Sequence, residues 1–325
     1  VTAKNGKRLA AAFGQDLMRG EHVIGSGERP TGLGGVTMDA LSSHPRYYEQ
    51  KTAAEARVGR KLTPEEFERD HWVLPDSQLS SGTSIFDPVL CELAYRWFSP
   101  PGGLVLDPFA GGSVRGIVAT KLGRRYVGVD LRPEQIAANV EQGLAICGPD
   151  EQPTWIEGDS RDLPTLAPDL EADFVFSCPP YADLEVYSDD PRDLSTLDYA
   201  DFRPAYFDII AKACAMLRKD RFACFVVGDV RDKRGAYYDF VGDTVQAFRD
   251  AGLSYYNEAI LVTSVGSLPI RAGRQFAAGR KLGKTHQNVL IFLKGDSKRA
   301  VAALGEVEFG DIDPGETQGD WQIQP

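Results

Sequence analysis

The sequence predicts an α/β protein on a mostly parallel, Rossmann-like sheet with helices on both faces. Three observations carry that expectation. Residues 104–130 read as strand, glycine turn, helix and strand; apolar strands and amphipathic helices then keep alternating along the chain; and the first two strands close on acids, Asp107 and Asp130. With 325 residues, 42% of them hydrophobic, the chain is long enough for one large domain with appendages. The expected parts are an N-terminal arm over 1–82, the main domain over 83–295 and an acidic tail over 296–325.

Residues 1–82 differ in composition from the rest, with glycine clusters, Pro30, Pro45 and a charged middle. A beginning at Val1 fits a processed or trimmed chain, and the arm is open to three readings: a wrap around the main domain, an oligomer contact or a remnant of a fusion. Thr63, Pro64 and Glu66 form a capping box with proline at the first helical position, so a short helix is expected there. From residue 83 the pattern becomes regular. Phe86 and Pro88 lead a helix carrying Leu90, Leu93, Ala94 and Trp97, which Pro100 and Pro101 break.

The central strand, 104–106, runs into Asp107 and Pro108, and Ala110, Gly111 and Gly112 are small enough for a ligand to lie against the backbone. A helix follows through Val114, Ile117, Val118 and Leu122 to a stop at Gly123, and the next strand, 126–129, closes on Asp130. An acid in that place accepts hydrogen bonds from ribose hydroxyls in dinucleotide-binding folds, so a nucleotide-like ligand is expected. The next helix opens at Pro133 with Ile136, Ala137, Val140 and Leu144 expected inward, and strand 154–157 ends at Gly158 and Asp159.

Strand 173–177 ends on a rigid corner, Cys178, Pro179, Pro180 and Tyr181: the prolines leave carbonyls free to accept, and the tyrosine offers a flat ring for stacking. An acidic loop, 182–196, comes next and reads equally as a cover over a ligand or a solvated surface. A helix with Phe207, Ile210, Ala211, Cys214 and Leu217 inward then leads to strand 222–227. After it come a helix through Val241, Val245 and Phe248, then strands over 258–262 and 287–293 and a tail expected to be loosely ordered beyond Asp296.

Charge and composition exclude several classes. A net charge of -11 rules out a generally basic coat, so any nucleic-acid contact must be local. Residues 266–284 supply one: Arg271, Arg274, Arg280, Lys281 and Lys284 stand there without a single acid, against the alternative of a merely solvated loop. No run approaches the roughly 18 apolar residues of a membrane helix, and the first residues lack a signal-peptide core, so no membrane association is expected and the expected location is cytoplasmic. Five cysteines without paired spacing read as reduced core residues, and with four scattered histidines no metal is expected.

Residues 107–112, Asp-Pro-Phe-Ala-Gly-Gly, followed by 177–181, Ser-Cys-Pro-Pro-Tyr, resemble the two signature motifs of the amino-group DNA methyltransferases, which make N6-methyladenine or N4-methylcytosine. The resemblance runs from about residue 83 to 295. It implies the class I methyltransferase fold, a seven-stranded sheet with an antiparallel edge strand, and S-adenosylmethionine as cofactor. The cofactor residues it implies are Phe86, Pro88, Asp107, Pro108, Phe109, Ala110, Gly111, Gly112, Asp130, Leu131, Asp159 and Ser160. It implies catalysis by residues 177–181, that is Ser177, Cys178, Pro179, Pro180 and Tyr181, on a base rotated out of double-stranded DNA. A bacterial or phage origin follows from the same resemblance, with the oligomeric state open and a homodimer in view.

The departure is Cys178. In the family, an Asp, Asn or Ser there shares the substrate's amino group with the carbonyl of the first proline, here Pro179. A neutral thiol is a poor acceptor. Three readings stand: Ser177 substitutes through a shifted strand end, Cys178 accepts weakly while Pro179 does most of the work, or Cys178 is a thiolate nucleophile of a cytosine carbon-5 methyltransferase. An RNA substrate is a further alternative.

Overall fold

The computed structural model describes residues 47–63, 66–67, 86–181, 187–263 and 268–307. Those up to 67 belong to one compact unit and those from 86 onward to another. Most of the expected arm, the first part of the acidic loop and the end of the tail lie outside the described residues.

In the first unit, α1 (Tyr47–Val58) precedes the capping box, which forms reciprocally: Glu66 N donates to Thr63 Oγ1 at 3.2 Å, and Thr63 N donates to Glu66 Oε2 at 3.1 Å. Ala54, Leu62 and Phe67 make its small buried cluster.

In the second unit, Asp87 caps α2 (Pro88–Phe98) by accepting from Val89 N at 2.8 Å. Then follow β1 (Leu104–Asp107), α3 (Val114–Lys121), β2 (Arg125–Asp130), α4 (Pro133–Cys147), β3 (Thr154–Glu157) and β4 (Ala172–Ser177). After these come α5 (Tyr199–Met216), β5 (Leu217–Val227), α6 (Phe240–Asp250), β6 (Ser254–Val262), α7 (Leu268–Gly279), β7 (His286–Lys294) and α8 (Ser297–Leu304). The strands form one sheet in the order β3-β2-β1-β4-β5-β7-β6. Strands β1 to β5 pair in parallel, and β7 runs antiparallel to both neighbours. This is the class I methyltransferase arrangement, with the reversed strand one place in from the edge and β6 as the edge itself. From β1 the chain builds outward in both directions, so the crevice at the carboxyl ends of β1, β2 and β4 is the place for a ligand.

Four local expectations change. On α4 the inward residues are Asn139 and Gly143, while Val140 and Leu144 are 41% and 50% exposed. The helix lies too close to Trp155 for a side chain at 143: an added Cβ would meet the indole at 2.9 Å. On α5 the buried face is Phe202, Tyr206, Ile209, Ile210, Ala213 and Cys214, with Ala211 exposed. The basic segment 266–284, with no helix expected from its sequence, holds helix α7. The start of the tail is also ordered: Asp296 caps α8 by accepting from Arg299 N at 3.0 Å, and Ala300 and Leu304 are buried.

The sheet is packed tightly where β2 passes the glycine turn. A Cβ at Gly128 would stand 2.6 Å from the Tyr126 hydroxyl and 2.8 Å from the Ala110 Cβ. Gly128→Ala is therefore expected to cost about 1–3 kcal/mol, read as a lower urea midpoint.

Candidate active site

The glycine turn after β1 is fixed on every side. Gly111 takes a φ of +48°, which a glycine adopts without strain. Its N–H donates to Asp130 Oδ2 at 2.9 Å and its carbonyl accepts from Asn139 Nδ2 at 2.7 Å. Ala110 N donates to Val129 O at 2.9 Å, and Arg115 NH2 donates to the carbonyls of Phe109 and Ala110 at 2.6 and 2.8 Å. Gly112 is left exposed. Pro108 is buried and its carbonyl accepts from the Ser160 hydroxyl at 2.5 Å, while the Phe109 ring packs against Tyr206 and Phe225.

Asp107 is fully buried, and both of its oxygens are committed. Oδ1 accepts from Ser177 Oγ at 2.5 Å and from Phe109 N at 3.1 Å; Oδ2 accepts from Arg115 Nε at 2.6 Å and Tyr126 OH at 2.7 Å. Burial alone would lower the Arg115 pKa, but the adjacent Asp107 carboxylate outweighs it and holds the guanidinium firmly protonated. The same guanidinium lies over the Phe86 ring, 4.7 Å from its centroid. Asp107 thus joins the end of β1 to the end of β4 from within the core rather than facing a ligand.

Ser177 is fully buried and donates its hydroxyl to Asp107, which holds that oxygen in the core. Pro179 is buried; Cys178, Pro180 and Tyr181 are half-buried. Cys178 Sγ lies 3.9 Å from the Tyr181 hydroxyl, which also accepts from Gln287 Nε2 at 2.6 Å. The Tyr181 ring meets Phe240 edge-on at 5.8 Å. Burial, with Cys178 beside it, drives the Tyr181 hydroxyl far above its ordinary pKa, so it stays protonated.

The two acids beyond β1 behave differently. Asp130, at the end of β2, accepts from Gly111 N through one oxygen and from Arg132 N at 2.9 Å through the other. Burial raises its pKa against those bonds. Burial would also raise Asp159, but Arg161 grips its carboxylate through Nε and NH2, at 2.9 and 2.6 Å, and brings the pKa below the usual value. Leu131 lies half-buried beside Asp130, and Pro88 begins α2 next to Phe86.

Residues 63–141 match the family model of the N6/N4 DNA methylases. The matched segment is less than half of the chain. It includes the glycine turn and Asp130 and ends before the corner at 178–181. A search of curated proteins finds no match. Solved structures similar to the chain include TrmN from Thermus thermophilus, at 18% identity over 69% of this chain and 54% of that one, with a TM-score of 0.44. This chain therefore spans about half the length of that TrmN structure. Others are magnesium protoporphyrin IX methyltransferase from Synechocystis PCC 6803 with bound SAM (10% identity, 91% of this chain, 99% of that one, TM-score 0.41) and a putative rRNA-methylase from Clostridium thermocellum (13%, 64%, 98%, 0.40).

The basic residues of 266–284 do not form one uniform patch among the described residues. Arg274 and Arg280 are exposed, Arg280 with its guanidinium 5.0 Å from the Phe276 ring centroid. Lys281 is half-buried, and Lys284 lies 3.9 Å from Asp229 Oδ2, which offsets its charge. The side chain of Arg271 lies outside the described residues. Asn139, Arg115 and Gln287 are the members of the site that sequence reasoning missed. Among the described residues no group of three or more His, Cys, Asp or Glu side chains forms a metal site, and no helix is long and apolar enough to cross a membrane.

Proposed function

We propose that this protein is a DNA methylase that transfers the methyl group of S-adenosylmethionine to the exocyclic amino nitrogen of adenine or cytosine in DNA. The observation that carries the reading is the Asp107 bridge. One buried carboxylate ties the strand end carrying the glycine turn to the strand end carrying Cys178, Pro179 and Tyr181, so cofactor cradle and catalytic corner share one edge. The residues suit the cofactor: exposed Gly112 backbone admits close approach, and the half-buried Asp130 carboxylate keeps lone pairs for ribose hydroxyls.

S-adenosylmethionine supplies a methyl group already activated on a sulfonium, so the protein's task is positioning. Tyr181 stacks on the base turned out of the duplex, and the Pro179 carbonyl, which no described residue bonds, accepts one amino N–H as the nitrogen attacks. Arg274, Arg280 and Lys281 contact backbone phosphates. Incubation with labelled S-adenosylmethionine and DNA, with RNA as competitor, tests the substrate class. Label in DNA that excess RNA does not displace is the expected result, and label in RNA alone refutes it.

Asp130 makes cofactor affinity depend on pH. Its ionised form accepts the two backbone N–H groups and the ribose, and burial raises its pKa, so it takes up a proton earlier than an ordinary aspartate as pH falls. S-adenosylhomocysteine binding is expected to weaken as the pH falls, in a window that lies above the one an ordinary aspartate would set. The sign for stability is opposite: the folded state binds this proton more tightly than the unfolded chain, so Asp130 itself favours folding as the pH falls through that window. Calorimetric titration with circular dichroism alongside should show affinity lost while the fold persists, and Asp130→Asn should flatten the dependence.

A further inference from the structure

We infer that Gln287 supplies the hydrogen-bond acceptor for the substrate's second amino N–H, the role that Cys178 cannot fill. The inference rests on the amino-group reading above and deepens it. An amino nitrogen whose lone pair is drawn into the ring needs both N–H bonds held while it attacks, and on the reading above the Pro179 carbonyl holds one of them. Sequence position 178 offers only sulfur.

The fold brings a second carbonyl to the corner from the far side of the sheet. Because β7 is the reversed strand, its first residues lie at the same edge as the last residues of β4 and β5: Asn288 pairs with Val227, the last residue of β5. Gln287 is the second residue of β7 and lies beside Gly228, which follows β5: a Cβ added there would stand 3.8 Å from Gln287 Cγ, in ordinary contact. Its amide is oriented by a bond on one side only. Nε2 donates to the Tyr181 hydroxyl at 2.6 Å, and no described residue bonds Oε1.

That bond also bears on the sulfur. With the Tyr181 oxygen accepting from Gln287, the tyrosine proton can turn to Cys178 Sγ at 3.9 Å, a contact in which either group can donate and which occupies the thiol within the protein. A planar carboxamide fixed through its nitrogen presents its oxygen in a set direction, and a carboxamide oxygen is a full sp² acceptor. Gln287 Oε1 and Pro179 O then serve the two N–H bonds, with Tyr181 both the stacking platform and the anchor of the amide.

Two variants of the full chain test this. Gln287→Leu keeps the bulk and removes the acceptor; Gln287→Glu keeps an acceptor, to which the Tyr181 hydroxyl can turn and donate. With unmodified DNA and labelled S-adenosylmethionine, kcat is expected to fall about 10²-fold in the Leu variant, with S-adenosylhomocysteine affinity unchanged, and to recover most of that loss in the Glu variant. Should the Leu variant fail to bind S-adenosylhomocysteine, Gln287→Met replaces it as the apolar partner in the comparison. Apolar and Glu variants falling alike, or an apolar variant within a few-fold of the parent, overturns the role of Gln287 and leaves the amino-group reading intact. A parent protein that methylates no exocyclic amino group overturns that reading, and the acceptor role with it.

Discussion

Arg115→Met is expected to destabilise the protein by about 3–5 kcal/mol, because it leaves the Asp107 carboxylate buried without its cation. Three neutral donors remain, from Ser177, Tyr126 and Phe109, but none carries charge. The loss also frees the carbonyls of Phe109 and Ala110 and uncovers the Phe86 ring, so the glycine turn loosens as the fold weakens. Urea unfolding followed by circular dichroism measures the effect. A double variant, Asp107→Leu with Arg115→Met, is expected to regain part of the loss, since two apolar side chains replace the pair without stranding a charge. Cofactor affinity is not expected to return with stability, as the ties from Arg115 to the turn stay broken.

The second large effect falls on Tyr181. Its ring is the one flat surface of the corner, and base stacking on an aromatic ring contributes about 1–3 kcal/mol. Tyr181→Phe keeps the ring and removes the hydroxyl that anchors Gln287, so it should lower kcat with little change in apparent affinity for DNA. Tyr181→Ala removes both, and kcat/KM on DNA should fall further by about 10- to 100-fold relative to the Phe variant. Steady-state kinetics on one DNA substrate separates the two contributions. Equal losses in both variants would assign the whole effect to the hydroxyl and deny the stacking role.

Much of this was legible in the sequence because local rules agreed with the fold. The run from Leu104 to Asp130 carries apolar strands, glycines and acids in an order that suits one structure, and β1 and β2 form there as read. Pattern reading failed where a polar or missing side chain faces inward. Asn139 is buried because it satisfies the Gly111 carbonyl, and Gly143 is buried because Trp155 leaves no room; helical periodicity instead favours Val140 and Leu144 for those positions. Asp107 read as a ligand group because it ends a strand, but its position opposite Arg115, eight residues on in α3, turns it into a structural bridge. Gln287 lies 106 residues beyond Tyr181, and the register of the reversed strand, which no local pattern encodes, brings them together. The helices α7 and α8 were missed because glycine content and charge in those stretches resemble loop chemistry, although Asp296 as a cap before Ser297 was a usable signal.

The central claim is transfer of a methyl group to an exocyclic amino nitrogen of DNA, and nucleoside mass spectrometry of DNA after incubation with the protein and labelled S-adenosylmethionine tests it most directly. The account predicts label in N6-methyladenine or N4-methylcytosine, with activity remaining in Cys178→Ala because the sulfur is not the acceptor. Label in 5-methylcytosine, abolished by Cys178→Ala, would contradict it and make Cys178 a covalent nucleophile.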